Sequence, residues 1–473
     1  MEEERSQNLN LDGVKYSKPT IFIAKAYILL LTVRMISPLA FISGLLHGAG
    51  VYFDVVLHVL GLLLILADTR GKITVRNDRE TRLLGLFAVM VCFFNLSSLI
   101  MACIMQYTYG NIGNESAFNG ISGQVVYWFQ YLFIFIYNKQ IFKMITYREL
   151  EKLFTILSVA LLVLGYVQVA AMNIPAIKTV YAKLDVLGVL DHNLYKLPLT
   201  GSEGASCSGL IGALVLPFLL SGVVSKKKHI SELIQIILWL PVIYFTKSSS
   251  CYIAVVAAVL AFVIVNFFVK KKNVGWVIAF SVVAVAAIVT LFYPDWILDL
   301  LPEKIASEIR YLLIDKIADG KNGSTVSRMI PFRINWGAFT EYPVFGVGNG
   351  NQGYFYIKYF PEEAKHMPWS DAMDFYERAH TTIVNGALFF PSILSGYGII
   401  GTIFFIVYAV KAVKTVFIKR FDLGRFAPMF FISVCALLFV GLQGEFSGCY
   451  YVWFIFSIPY AVFKMERLKY GQG

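Results

Sequence analysis

The chain has 473 residues, of which 58% are hydrophobic and 15% charged, with a formal net charge of +11; its mean hydropathy is +0.66. A water-soluble domain needs more surface charge than this, so that class is excluded. The basic excess is spread between apolar runs rather than gathered on one patch, so nucleic acid is not an expected partner.

The apolar runs, such as 83–105 and 274–293, recur along almost the whole chain. Each is long enough to cross a hydrocarbon core of roughly 30 Å as a helix. Backbone groups in lipid must satisfy one another, so these runs read as helices, and the period-two alternation of a membrane barrel is absent. The expected fold is an all-α integral membrane protein of about twelve transmembrane helices. They fall near 19–43, 50–67, 83–107, 124–143, 150–172, 205–224, 231–246, 250–269, 275–293, 380–410, 427–443 and 446–463. The polar start, 1–20, lacks a secretory signal, and the first apolar run lacks a small-residue cleavage site, so that run is expected to stay as a helix. Cys92, Cys103, Cys207, Cys251, Cys435 and Cys449 show no metal or disulfide spacing.

Alternate connections are basic. Arg70, Lys72, Arg76, Arg79 and Arg82 form one group, followed by Lys139, Lys143, Arg148 and Lys152, then Lys226 to Lys228 and Lys270 to Lys272. Lys411, Lys414, Lys419, Arg420 and Arg425 form another, and Lys464, Arg467 and Lys469 close the chain. The positive-inside rule places all of these, and both termini, in the cytoplasm. The connection 107–123 has no Lys or Arg, and it faces outward together with two long ones, 173–204 and 294–379. The expected organisation is one membrane domain: 1–293 with helices 1–9, a large extracytoplasmic loop over 294–379, and 380–473 with helices 10–12.

The outer loop reads as a partly helical unit. Ile305, Ile309, Leu312, Leu313 and Ile317 share one face of an amphipathic helix over 302–318. A second helix is expected from about Thr325 to Phe339, capped by Ser324 or Thr325, with Pro331 kinking it or restricting it to shorter pieces. A turn-rich stretch follows at 342–351, Tyr-Pro-Val-Phe-Gly-Val-Gly-Asn-Gly-Asn, whose glycines would let the backbone approach a ligand and expose amide donors. The stretch 353–377 is dense in aromatics, including Tyr354 and Trp369. Two readings stand, an interfacial aromatic belt and a platform for sugar rings.

These features in order resemble the O-antigen polymerase and ligase superfamily. Gly201-Ser202-Glu203-Gly204 opens the sixth span, and Thr246-Lys247-Ser248-Ser249-Ser250 lies at an outer helix end. Ser327-Arg328 with Trp336 follows, then the 342–350 stretch, then His380 ahead of Ser395-Gly396-Tyr397-Gly398-Ile399-Ile400-Gly401. The resemblance covers about 195–415, on the scale of one domain. Members of the family often carry Ser-Arg near Ser248-Ser249; here Lys247 is the available charge. The common His-Asn pair is His380-Thr381, with Asn385 further on.

The resemblance implies a fold like that of membrane glycosyltransferases and a substrate carried on polyprenyl diphosphate in the bacterial cytoplasmic membrane. It further implies metal-independent transfer without a cofactor, in keeping with the lack of paired metal carboxylates at a clear spacing. Displacing a diphosphate at an anomeric carbon calls for charge stabilisation, which arginine supplies bidentately. Arg328 leads that assignment, followed by Arg333, Arg378, Lys247 and Arg34 in the first span. His380 is the candidate base. Glu203, Glu445, Tyr354 and Trp369 are candidates for binding or orienting sugars. Duller readings stand beside these: ion pairs with loop acids for the arginines, a helix cap for His380, and a structural bond for Arg34. The leading expectation is a repeat-unit polymerase of the Wzy type, acting in capsule or exopolysaccharide synthesis. A glycan ligase of the same fold is second, and a lipid-linked oligosaccharide flippase a distant third. The partners that follow are the lipid-linked oligosaccharide, the bilayer and a candidate chain-length regulator.

Overall fold

The computed structural model describes residues 16–36, 49–69, 78–184, 209–225, 230–270, 303, 307, 323–362, 370–381, 388–442 and 450–463. Within these the chain is helical and contains no strand, only an isolated bridge between Ile112 and Glu115. The helices are α1 (Lys18–Ile36), α2 (Ala49–Thr69), α3 (Arg79–Tyr109), α4 (Ala117–Met144), α5 (Tyr147–Asn173) and α6 (Pro175–Leu184). A π-helical turn, Leu210–Val215, leads into α7 (Leu216–Ser225), and α8 (Ile230–Phe245) and α9 (Ser249–Lys270) follow. The segment that follows holds α10 (Gly323–Glu341), a 3-10 turn (Gln352–Phe355) running into α11 (Tyr356–Tyr359), and α12 (Ser370–Thr381). The last elements are α13 (Phe389–Ile418), α14 (Phe426–Gly441) and α15 (Tyr450–Ser457).

Among the described residues, α3, α5 and α13 are long and apolar enough to cross a membrane, and several shorter helices are equally apolar. This is the composition of an integral membrane protein. The expected ninth span at 275–293, the amphipathic helix over 302–318 and the C-terminal basic group lie outside the described residues.

Local chemistry sets the helix ends. Asp78 caps α3, its carboxylate accepting the Thr81 amide at 2.6 Å. Thr146 and Glu149 form a capping box that starts α5. The π turn ends at Val215, two residues before Pro217, which has no N–H to give and whose ring crowds the preceding turn. α10 runs through Pro331 as one element rather than shorter pieces. One expected boundary differs from that observed: the span expected over 380–410 begins at Phe389. His380 instead closes α12, whose Asp371, Asp374, Glu377 and Arg378 make it a polar helix.

In lipid, apolar helices gain little from burying one another, and packing depends on close approach and polar bonds. α9 packs closely on α14, and its Ala254, Ala258 and Ala261 are all buried. Phe94 of α3 stacks on Tyr397 of α13 at 3.8 Å, and Trp128 of α4 donates its indole N–H to the Tyr397 hydroxyl at 2.6 Å. At the basic end of the bundle, cations are paired between helices: Lys25 with Glu149 at 2.7 Å, Lys419 with Glu80 at 2.7 Å, and Lys139 with Asp78 at 3.1 Å. Arg425, 1% exposed, holds Glu151 at 2.7 Å and lies over the Phe218 ring.

Candidate functional site

The opposite end of the bundle carries a second apolar core. Met101, Ala102 and Met105 from the end of α3 and Ala117 and Ile121 from the start of α4 form its floor. Ile330, Ile334 and Ala338 of α10, Phe355 and Tyr356, Phe360 and Ala379 of α12 cover it. Each fully buried aromatic or Ile here contributes about 1.5–3 kcal/mol over an exposed one. Several aromatics of the 353–377 stretch therefore build this core, a use that neither expected reading included.

The glycine-rich stretch has a structural partner. α13 is broken at Gly398, whose φ of 63° and ψ of −164° lie outside the helical region. The break separates the Ser395 and Gly396 carbonyls from the Ile399 and Ile400 amides, which would pair in a continuous helix. The 343–348 stretch bonds all four. Val347 and Gly348 donate to Ser395 and Gly396 at 2.9 Å each, while Ile399 and Ile400 donate to Pro343 at 2.8 Å and Val344 at 3.3 Å. A Cβ on Gly346 would strike the Gly396 carbonyl group, so this approach requires glycine. The amides expected to face a ligand are used here.

A buried polar chain locks the same junction. Asn349 donates to Gln124 at 3.1 Å, and Gln352 donates to Asn349 at 2.9 Å and to Ser395 Oγ at 3.2 Å. Ser395 donates to Asn335 at 2.5 Å, joining α10 and α13. Gln352 also accepts the Gly350 amide at 2.8 Å.

The candidate residues stand on this scaffold as follows. Arg328 lies on α10, its side chain outside the described residues. Arg333 is exposed on α10, in one face with Met329, Phe332 and Trp336, which are 46%, 51% and 54% exposed. The spacing of these four confines them to about one third of the helix circumference. Arg378 and His380 are exposed on α12, which packs on α10 through buried Ala379; the His380 ring meets Tyr376 edge-on at 5.0 Å. Thus α10 and α12 bring Arg333, Arg378 and His380 onto neighbouring helices.

The other candidates sit apart. Lys247 occupies the turn between α8 and α9 with a φ of 48°, rare for a residue with a Cβ. Glu232 at the start of α8 packs near Arg425 at the basic end, so Lys247 stands at the other end, about one helix length away. Arg34 lies in the last turn of α1, roughly 13 Å along the axis from Lys25. It donates twice to Asp54 of α2, at 2.7 and 2.9 Å, with its guanidinium 4.4 Å from the Tyr450 ring centre; Tyr450 also donates to Asp54 at 2.6 Å. Asp54 was not among the candidates that the sequence offered. Tyr354 donates to the Gly110 carbonyl at 2.8 Å and packs on Tyr109. Glu203, Glu445 and Trp369 lie outside the described residues.

Titration around the second core follows the packing. Tyr342 is pushed up to about 12 by burial, by its hydroxyl contact with Tyr109 and by nearby Glu341, so it stays neutral and is no base. Burial alone would raise Glu341, but hydrogen bonds from Lys358 and Tyr359, at 2.8 and 2.6 Å, outweigh it and hold the carboxyl below its usual range.

No curated protein matches the chain. Residues 234–406 match the family model described as O-antigen ligase, a stretch running from α8 to α13 that includes α10, α12 and the helix break. The match supports assignment of the chain to the O-antigen polymerase and ligase superfamily.

Proposed function

We propose that the protein transfers a glycan from a polyprenyl diphosphate to an acceptor hydroxyl, and that it acts as a polymerase of lipid-linked repeat units. The observation that carries the reading is the outward face of α10, where Arg333 is flanked by Met329, Phe332 and Trp336, beside α12 with Arg378 and His380. A lipid diphosphate presents an apolar tail next to a dense anion. An arginine within an exposed apolar and aromatic stripe complements both.

In the reaction the acceptor oxygen attacks the anomeric carbon, and the bond from that carbon to the diphosphate breaks. The electron pair leaves with the diphosphate, whose charge Arg333, Arg328 and Arg378 offset. His380 takes the acceptor proton. The outer segment faces away from the cytoplasm of a bacterial cell, and both termini face inward. Lys247, Arg34, Glu203, Glu445, Tyr354 and Trp369 remain candidates for the rest of the substrate path.

A ligase is the second reading, favoured by the description of the matching family model. Purified protein in lipid, given its cognate lipid-linked repeat, separates the readings. A ladder of products supports the polymerase. Transfer only to a different acceptor replaces it with the ligase, and movement of substrate between leaflets without transfer overturns both.

A further inference from the structure

At the basic end of the bundle, the start of α3 and the last turns of α13 enclose a hollow of about 440 Å³ lined by Arg79, Arg82, Leu83, Leu86, Lys411, Lys414, Thr415 and Ile418. Among the described residues, four cations line it and no carboxylate does. Nearby cations are different: Lys25, Lys139, Lys419 and Arg425 each hold a carboxylate from another helix. The carboxylates closest in sequence, Asp78 and Glu80, are taken by Lys139 and Lys419. A purely topological role would need the four charges on one side of the membrane, but not their convergence on one hollow.

The shape adds a second requirement. Leu83, Leu86 and Ile418 form an apolar wall among the cations. Two turns further into the bundle, Phe93 of α3 and Phe404 of α13 meet at 5.0 Å and continue the seam between the helices. Along α13, Ile403, Ile406, Val410 and Phe417 stay exposed on an apolar face that Lys411 and Lys414 border. Anions therefore fit at the mouth and hydrocarbon along the seam. The cations come as two pairs, each spaced i, i+3 on its own helix, Arg79 with Arg82 and Lys411 with Lys414.

We propose that this hollow binds an anionic phospholipid of the inner leaflet, with two phosphates, one per cation pair, and acyl chains along the α3–α13 seam. A diphosphatidylglycerol has this chemistry. The site is separate from the outer face of α10, so its failure and that of the transferase reading are independent.

The test is native mass spectrometry of the purified protein titrated with cardiolipin, with phosphatidylglycerol, and with inorganic phosphate. The double variant Arg82→Gln/Lys414→Gln removes one cation from each pair; Lys143→Gln/Lys152→Gln removes two charges from the same end outside the hollow. Near-surface charge contributions predict about thirtyfold weaker cardiolipin binding in the first variant. The control should bind as the wild type does. Equal loss in both variants, or none in either, overturns the site. Displacement of cardiolipin by inorganic phosphate at equal concentration overturns the lipid and leaves a simple phosphate site. Thermal unfolding of both variants at the wild-type midpoint shows that the exposed substitutions leave the fold intact.

Discussion

The Val347 amide donates to the Ser395 carbonyl at 2.9 Å, the bond that Ile399 would make in an unbroken helix. The Tyr-Pro-Val-Phe-Gly-Val-Gly stretch is thus the hydrogen-bond complement of the break in α13, and the two segments need each other. Gly398→Ala should destabilise the junction, because a left-handed φ costs about 1–2 kcal/mol with a Cβ and the added atom would meet the Val344 carbonyl. Limited proteolysis should then cut within 342–352 at conditions where the wild type resists. Unchanged resistance would separate the loop from the break.

Gln352 bridges Asn349, Ser395 and the Gly350 amide. Its replacement by Leu strands buried polar groups at about 1–3 kcal/mol each, so the thermal midpoint should fall clearly below that of the wild type. A midpoint equal to the wild type's would remove the network from the account.

Arg34 and Asp54 are a pair in which the partners must be changed together. Asp54→Leu alone leaves a buried guanidinium uncompensated and should cost about 3–5 kcal/mol, whereas Arg34→Met with Asp54→Leu should be close to neutral. The double variant also tests function: full transfer activity in a stable double variant would exclude Arg34 from diphosphate binding.

α10 and α12 supply the activity predictions. His380→Ala should lower turnover about 10²- to 10⁴-fold with substrate binding retained. Arg333→Gln should cost about ten- to a hundredfold, on the scale of a charged hydrogen bond, and Arg333→Lys should not restore it fully. Full activity in Arg328→Lys would likewise exclude bidentate grip by that residue. Turnover and KM measured with a defined lipid-linked repeat decide these cases.

Glu341 gives a pH dependence of known sign. Its carboxyl is held below the ordinary range, so its contribution is complete above that range and fades as pH falls through the depressed value. The hydrogen bond to Glu341 raises Lys358, so its share fades only as pH rises through the raised value, far above neutrality. Hydrogen-exchange protection of 352–360 should drop on acidification, and Glu341→Gln should start lower and lose most of that drop.

The sequence by itself determined the class of the protein, because a membrane span needs only length and hydrophobicity, which are local. It also predicted α3, α5 and α10, and it gave Arg333, Arg378 and His380 as candidates, since cations and a histidine in an outer segment stand out in any reading. Tertiary structure alone decided which groups meet. Asp54 reaches Arg34 across a hairpin, Gln352 reaches Ser395 over 43 positions, and the Gly-rich stretch turns its amides to α13 instead of outward. No periodicity encodes such pairings, because a buried polar group must find its partner wherever packing places one.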